Sequence, residues 1–292
     1  MSRVAPLSGF PEWTPEGRRV ERHVIDTLRE VFELHGFTEV ETRAVEPLDR
    51  LADDSEVSKE IYALRRLRAD PEDGDSGLGL HFDLTVPFAR YVEEFSGRLA
   101  FPFRRYQIQK VWRGERPQDG RFREFYQADI DIVGRDVLPA RADAEVAIVM
   151  ARALARLPIP GVTMRLNNRR IVEGFYGGLG VSDLNGTLRV VDKLPKIGPE
   201  GVREALTEAG LKPRVVEGVL ALAGVSGGEE AFTEGLRAVI GEYGGDHEEL
   251  REGIDELKEM MAAINAAVPG VAVADFSIAR GLDYYTGTVV ET

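Results

Sequence analysis

Four residues at every second position, Phe125, Gln127, Asp129 and Asp131, carry the first chemical signal in the chain. Alternate side chains of a β-strand share a face, so an aromatic ring, an amide and two carboxylates would line up together. The intervening Tyr126, Ala128, Ile130 and Ile132 would form the opposite face, an ordinary core face. Buried carboxylates need partners, so the polar face reads as the floor of a polar ligand pocket. Residues 104–124 hold seven basic side chains (Arg104, Arg105, Lys110, Arg113, Arg116, Arg121, Arg123) against three acidic ones (Glu115, Asp119, Glu124). The local balance is +4 in a chain whose formal net charge is −13. Arginine's planar fork matches phosphate oxygens. A basic hairpin beside carboxylates suits a ligand carrying both signs, with phosphates at one end and an amine or imidazole at the other. The alternative is a solvated, charged hairpin; the inward Gln127, Asp129 and Asp131 weigh against it.

Composition narrows the chemistry further. The 292 residues suffice for one large domain or two smaller ones. Hydrophobic content of 43% with 30% charged residues is that of a soluble globular protein. The sequence contains no apolar run long enough to cross a bilayer, and its first residues lack an apolar signal core, so a cytoplasmic protein is the expectation. The absence of cysteine excludes disulfides, thiolate catalysis and sulfur-ligated zinc. His23, His35, His81 and His247 are scattered, with no i, i+4 pair for a metal. The acidic balance argues against nonspecific coating of nucleic acid, and leaves a local docking surface open.

These candidates need elements to hold them. Thr14-Pro15-Glu16 predicts a helix start, with a capping hydroxyl, proline in the first turn and then an acid. Val20, Val24, Leu28, Val31 and Phe32 form its apolar stripe, and Gly36 ends it. Residues 37–45 read as an extended strand closed by Pro47, and residues 66–79 as an exposed loop. Further strands are expected over 78–82, 162–166, 271–276 and 282–290, and long helices over 86–95 and 140–157. Between residues 168 and 267 most segments read as short helices, among them 201–209, 229–241 and 247–266. Strands clustered before and after a helical block suggest an α+β fold, an antiparallel sheet carrying a helical insertion.

Three segments resemble one family. WRGERPQDGRFREFYQADIDIVG at residues 112–134 resembles the second signature motif of class II aminoacyl-tRNA synthetases, in its histidyl-tRNA synthetase form. HFDLTVPFARYV at 81–92 is similar to that family's amino-acid-binding strand and helix, and ARGLDYYTGTVVE at 279–291 to its histidine-specific motif. The resemblance covers nearly the whole chain and is loosest between about 182 and 267. It implies a class II synthetase-like antiparallel sheet flanked by helices. Residues 1–167 and 268–292 would form the catalytic core, and 168–267 the helical insertion. The helix after Thr14 and the strand ending at Pro47 would be the first signature motif and the interface of a homodimer. Packing of that helix within its own subunit is equally allowed by the pattern alone.

The implied activity is ATP-dependent activation of histidine to histidyl-adenylate, with transfer to tRNA(His) and with Mg2+ accompanying ATP. Carried over residue by residue, Arg113 and Arg280 would be catalytic at the α-phosphate, Arg280 standing in for a metal ion that other class II enzymes use. Glu115 would recognise the adenine amino group, Phe125 stack on adenine and Arg121 contact the outer phosphates. Asp83, Thr85 and Gln127 would hold the α-amino group of histidine and Asp131 and Tyr285 its imidazole, with Tyr284 also among the histidine-binding residues. Asp83 departs from the Glu of most bacterial-type members, and Thr85 could equally serve as a helix N-cap. The family's third signature motif and anticodon-binding domain do not appear before Thr292. A fragment, or a natural truncated paralogue, impaired as a ligase by itself is therefore the expectation. Two other readings are a histidine-sensing regulatory paralogue and a module sensing uncharged tRNA. Arg113, Glu115, Arg121, Phe125 and Arg280 all match the enzyme pattern, which disfavours the first. The second would need a fused kinase domain.

Overall fold

The structure is a computed structural model and describes residues 5–51, 59–67, 77–139, 141–279 and 285–292. Contacts divide the chain into two units, Met1–Pro139 and Ala140–Thr292. In the first, α1 (Pro15–Leu34) begins where the capping residues predict. The Thr14 hydroxyl accepts from the Gly17 amide at 3.5 Å. The chain leaves the helix through Gly36 at φ +76, a left-handed conformation that glycine adopts without strain.

The single strand expected over 37–45 is two short ones, β1 (Thr38–Glu39) and β2 (Val45–Pro47). The chain changes sheets between them, which is why the extended run breaks. After α2 (Leu48–Leu51) come β3 (Ala63–Leu64), β4 (Leu78–Leu80) and α3 (Thr85–Phe95). Two ten-residue strands follow, β5 (Phe103–Trp112) and β6 (Glu124–Val133). One sheet has the order β1-β5-β6 and the other β2-β4-β3. The buried Glu46 carboxylate of β2 receives Arg90 from α3 at 2.9 Å and Arg43 at 2.8 Å, so an acid in this sheet is matched by two cations. Most of the loop expected over 66–79, residues 68–76, lies outside the described residues.

The second unit carries α4 (Arg141–Ala155), β7 (Met164–Asn168), α5 (Arg169–Gly178), α6 (Leu184–Val191), α7 (Leu194–Glu208) and α8 (Pro213–Ala223). Then come β8 (Ser226–Gly227), α9 (Glu229–Tyr243), α10 (Glu248–Ala267), β9 (Ala272–Asp275) and β10 (Thr288–Glu291). The sheet order is β10-β7-β9-β8. Helix α4 and strand β7 thus group with the helical block rather than with the preceding strands. Helices α5 and α10 approach closely because both contact points are glycine. A Cβ on Gly174 would lie 2.7 Å from the Leu250 amide, and one on Gly253 2.8 Å from that of Ile171.

The architecture is α+β. Strand pairing is mostly antiparallel, with β1–β5 and β7–β9 parallel. Among the described residues no helix is long and apolar enough to cross a membrane.

Candidate active site

Strands β5 and β6 pair over their full ten-residue length. The register sets Arg105 opposite Asp131, Gln107 opposite Asp129, Gln109 opposite Gln127 and Val111 opposite Phe125. Directly opposed residues share a face. The polar face predicted on β6 therefore continues across β5 as Arg105, Gln107 and Gln109. By sequence alone Arg105 counts only as local charge, and nothing marks the two glutamines individually. Their two-residue period was the available signal.

This face is buried at Arg105, Gln107 and Val111 and half-buried at Gln109, Phe125, Gln127, Asp129 and Asp131. Arg105 and Gln107 are both 0% exposed. Gln107 donates to the Thr42 hydroxyl at 3.0 Å and to Gln109 at 2.7 Å, and accepts from Arg105 at 3.3 Å. Gln109 donates to the Thr42 carbonyl at 2.9 Å. On β6, Gln127 donates to Asp129 Oδ2 at 3.0 Å and accepts from Arg113 at 3.0 Å. Arg113 also donates through Nε to the Phe82 carbonyl at 3.0 Å, and its guanidinium sits 5.1 Å from the Phe125 ring centroid. One cation thus ties together the end of β6, the segment before α3 and an aromatic face. Glutamine and aspartate are poor core residues singly; here the Gln107, Gln109, Gln127 and Asp129 side chains find hydrogen-bond partners, and Asp131 is matched by the charge of Arg105.

The structure brings Gln127, Asp129, Asp131, Arg113 and Phe125 together with the segment carrying Asp83. Asp83 accepts from the Val86 amide at 3.3 Å and so caps α3. Thr85 is the first residue of that helix, and Leu84 at the cap position makes no side-chain bond. The capping alternative considered for Thr85 therefore belongs to Asp83. Burial raises the Asp131 and Asp129 carboxyls above their ordinary values, opposed for Asp131 by Arg105 and for Asp129 by the Gln127 amide and Arg105. Burial lowers His81, whose Nε2 donates to the Lys110 carbonyl at 2.7 Å beside Trp112.

The charged loop between β5 and β6 is held at its base. The Arg113 amide donates to the Arg123 carbonyl at 2.9 Å, and the Arg123 amide to the Gly9 carbonyl at 2.7 Å. Gly9 sits at φ +83, and a Cβ there would come within 2.8 Å of the Arg123 side chain, so the close seat needs glycine. At the outer end Arg121 pairs with Glu115 at 3.3 Å. Phe125 also lines an open cavity of about 750 Å³ with Trp13, Lys110, Phe122, Glu124 and Tyr126.

The face expected to be ordinary core is not. Ala128 is exposed, and Tyr126, Ile130 and Ile132 are only partly buried. Helix α1 reaches this side at Tyr106, which is fully buried against Phe32, and the rest of the face has less cover. Tyr285 is 52% exposed. Arg280 and Tyr284, predicted at the site, lie outside the described residues.

A family model described as histidyl-tRNA synthetase matches residues 9–292. A histidine–tRNA ligase from Micrococcus luteus is 56% identical, aligned over 100% of this chain and 66% of its own length. One from Cutibacterium acnes is 54% identical over 100% and 65%. Among solved structures, histidyl-tRNA synthetase from Nostoc sp. PCC 7120 superposes with a TM-score of 0.85 at 33% identity, covering 100% of this chain and 65% of that one. The chain spans slightly less than two thirds of the length of these relatives.

Proposed function

The chain belongs to the histidyl-tRNA synthetase family, and from that premise we propose that it forms the catalytic region of a histidine–tRNA ligase. The reaction joins the histidine carboxylate to the α-phosphate of ATP, expels pyrophosphate and then passes the acyl group to a tRNA(His) hydroxyl. No protein nucleophile takes part. The work lies in holding two anions in line and in neutralising charge on the phosphoryl oxygens.

The observation that carries the reading is the position of Arg113. It bridges the Phe82 carbonyl and Gln127 above Phe125, so one guanidinium adjoins both the polar floor and the charged loop. In this reading the α-phosphate meets Arg113. Adenine stacks on Phe125 with its amino group toward Glu115, and Arg121 exchanges its ion pair with Glu115 for the outer phosphates. Asp83, Thr85 and Gln127 take the ammonium of histidine; Asp131 takes its imidazole.

Mg2+ would arrive on ATP. Among the described residues no group of three or more His, Cys, Asp or Glu side chains is arranged to hold a metal. A homodimer through α1 is supported by its apolar stripe, buried at Val31 and Phe32 but 63% exposed at Val20, and by the open apolar face of β6. A cytoplasmic setting goes with tRNA as substrate.

The test is histidine-dependent ATP–pyrophosphate exchange. Exchange with histidine, and none with other amino acids, is expected. Histidine binding without any exchange, in a protein extended to the relatives' full length, would leave a sensor instead of an enzyme.

A further inference from the structure

One buried cation on the site face has no part in the roles above. Arg105 is 0% exposed, yet it lies beside the carboxylate assigned to the imidazole. Its Nη2 is 2.7 Å from Asp131 Oδ2. Its guanidinium lies 4.0 Å from the Phe88 ring centroid, and Nη1 donates to Gln107 at 3.3 Å. Among the described residues Arg105 Nε and Nη2 and Asp131 Oδ2 make no well-aligned hydrogen bond. The pair is therefore held chiefly by charge, with the guanidinium seated on an aromatic face. An arginine suits that seat because it is planar, always charged and more weakly hydrated than an ammonium. The Asp131 Oδ2 atom is buried, whereas 33% of that side chain stays accessible.

We propose that Arg105 is a positioning residue for histidine selection. It fixes Asp131 through Oδ2 and leaves the other carboxylate oxygen to accept from the imidazole N–H. The inference rests on the reading of this face as the histidine pocket. The charged groups facing the pair are Asp83 from the segment before α3 and Asp129 on β6. Arg113 lies one step further along, at Gln127 and within electrostatic reach of Asp129. The ligand's ammonium offsets Asp83 and Asp129, while Arg105 offsets Asp131. The imidazole then meets a carboxylate whose charge is already matched. Selection works by hydrogen-bond donation, and the ring binds neutral. Binding should weaken as the ring protonates, below about pH 6.5.

Removing Arg105 takes away the cation that opposes burial at Asp131. The carboxyl would then protonate at a higher pH than in the parent and lose its role as acceptor. The test is calorimetric titration of the full chain with histidine, and separately with ATP, between about pH 5.5 and 8, a window that spans imidazole titration. Arg105→Met should weaken histidine roughly 30-fold, the scale for breaking a buried charge pair. ATP binding should be unchanged and the acid limb of histidine binding should move to higher pH. Arg105→Lys keeps the charge without the fork, and should bind histidine with intermediate affinity and an unmoved acid limb. On an Asp131→Asn background, Arg105→Met should add little.

Parent-like histidine affinity in Arg105→Met overturns the proposal. So does equal loss of histidine and ATP with no shift of the acid limb. If Arg105→Met does not fold, Arg105→Lys decides, and parent-like histidine affinity there overturns it. Failure of the parent itself to bind histidine overturns the pocket reading, and this inference with it.

Discussion

The two faces of the β5–β6 ribbon reverse the usual arrangement. The face bearing Arg105, Gln107, Gln127, Asp129 and Asp131 is the more deeply buried, with side-chain hydrogen bonds along each strand and the Arg105–Asp131 ion pair between them. The face bearing Ala128, Ile130 and Ile132 is partly open, with Tyr106 its fully buried member under α1. Apolar side chains are ordinarily the ones removed from water. Burying polar groups instead is tolerable only with partners in place, and it builds a rigid, water-poor surface where hydrogen bonds and charges discriminate strongly.

The sharpest break of that contrast is on the polar face. Arg113→Ala removes the cation linking Phe82, Gln127 and Phe125. Pyrophosphate exchange should fall by the equivalent of about 2.7–4 kcal/mol in the barrier, as for loss of one donor to a developing oxyanion. Parent-like exchange rates would remove Arg113 from the phosphate. Asp131→Ala should come next. Histidine affinity should drop about ten- to hundredfold, the range for a charged hydrogen bond, with ATP affinity intact. Equal loss of both ligands would signal damaged folding and not lost recognition.

The open face is probed by Val20→Asp and Ile130→Asp. Each should shift sedimentation of the protein from dimer toward monomer at micromolar concentration while leaving the fold intact by circular dichroism. A parent already sedimenting as a 32.3 kDa monomer would reject the dimer.

The smallest effects are in pH dependence, and they have opposite signs. Burial holds His81 below its ordinary value, so the unfolded chain binds a proton that the folded one resists. Stability contributed by neutral His81 is lost as pH falls below about 6.5. Burial raises Asp129, so the folded state keeps its proton longer, and stability is lost as pH rises from about 3.9 through the raised folded value. Asp129→Asn should therefore melt above the parent at neutral pH, with the advantage shrinking on acidification. A constant difference across pH would contradict this origin.

How much of this was legible in the sequence depended on the range of the signal. Thr14 and Gly36 mark α1 because caps act within a turn, and the alternation from Phe125 to Asp131 marks the polar face because strand period is local. Arg105 was hidden because its partner Asp131 is 26 positions away and only the register of β5 on β6 joins them. The break between β1 and β2 was equally hidden. The extended run is continuous in sequence, and only pairing with different sheets interrupts it. Capping by Asp83 instead of Thr85 turned on where α3 begins, a boundary that composition leaves loose. The half-open Ala128 face read as core because apolar alternation does not say what covers it.

The most direct test of the central claim, that the polar face of β5–β6 is the histidine and ATP site, is a crystal structure of the protein with both bound. The account predicts the imidazole against Asp131, with Arg105 behind it, and the α-phosphate against Arg113. Ligand density seated elsewhere, such as in the cavity beside Trp13 and Tyr126, with the Arg113–Gln127–Asp129 network undisturbed, would contradict it.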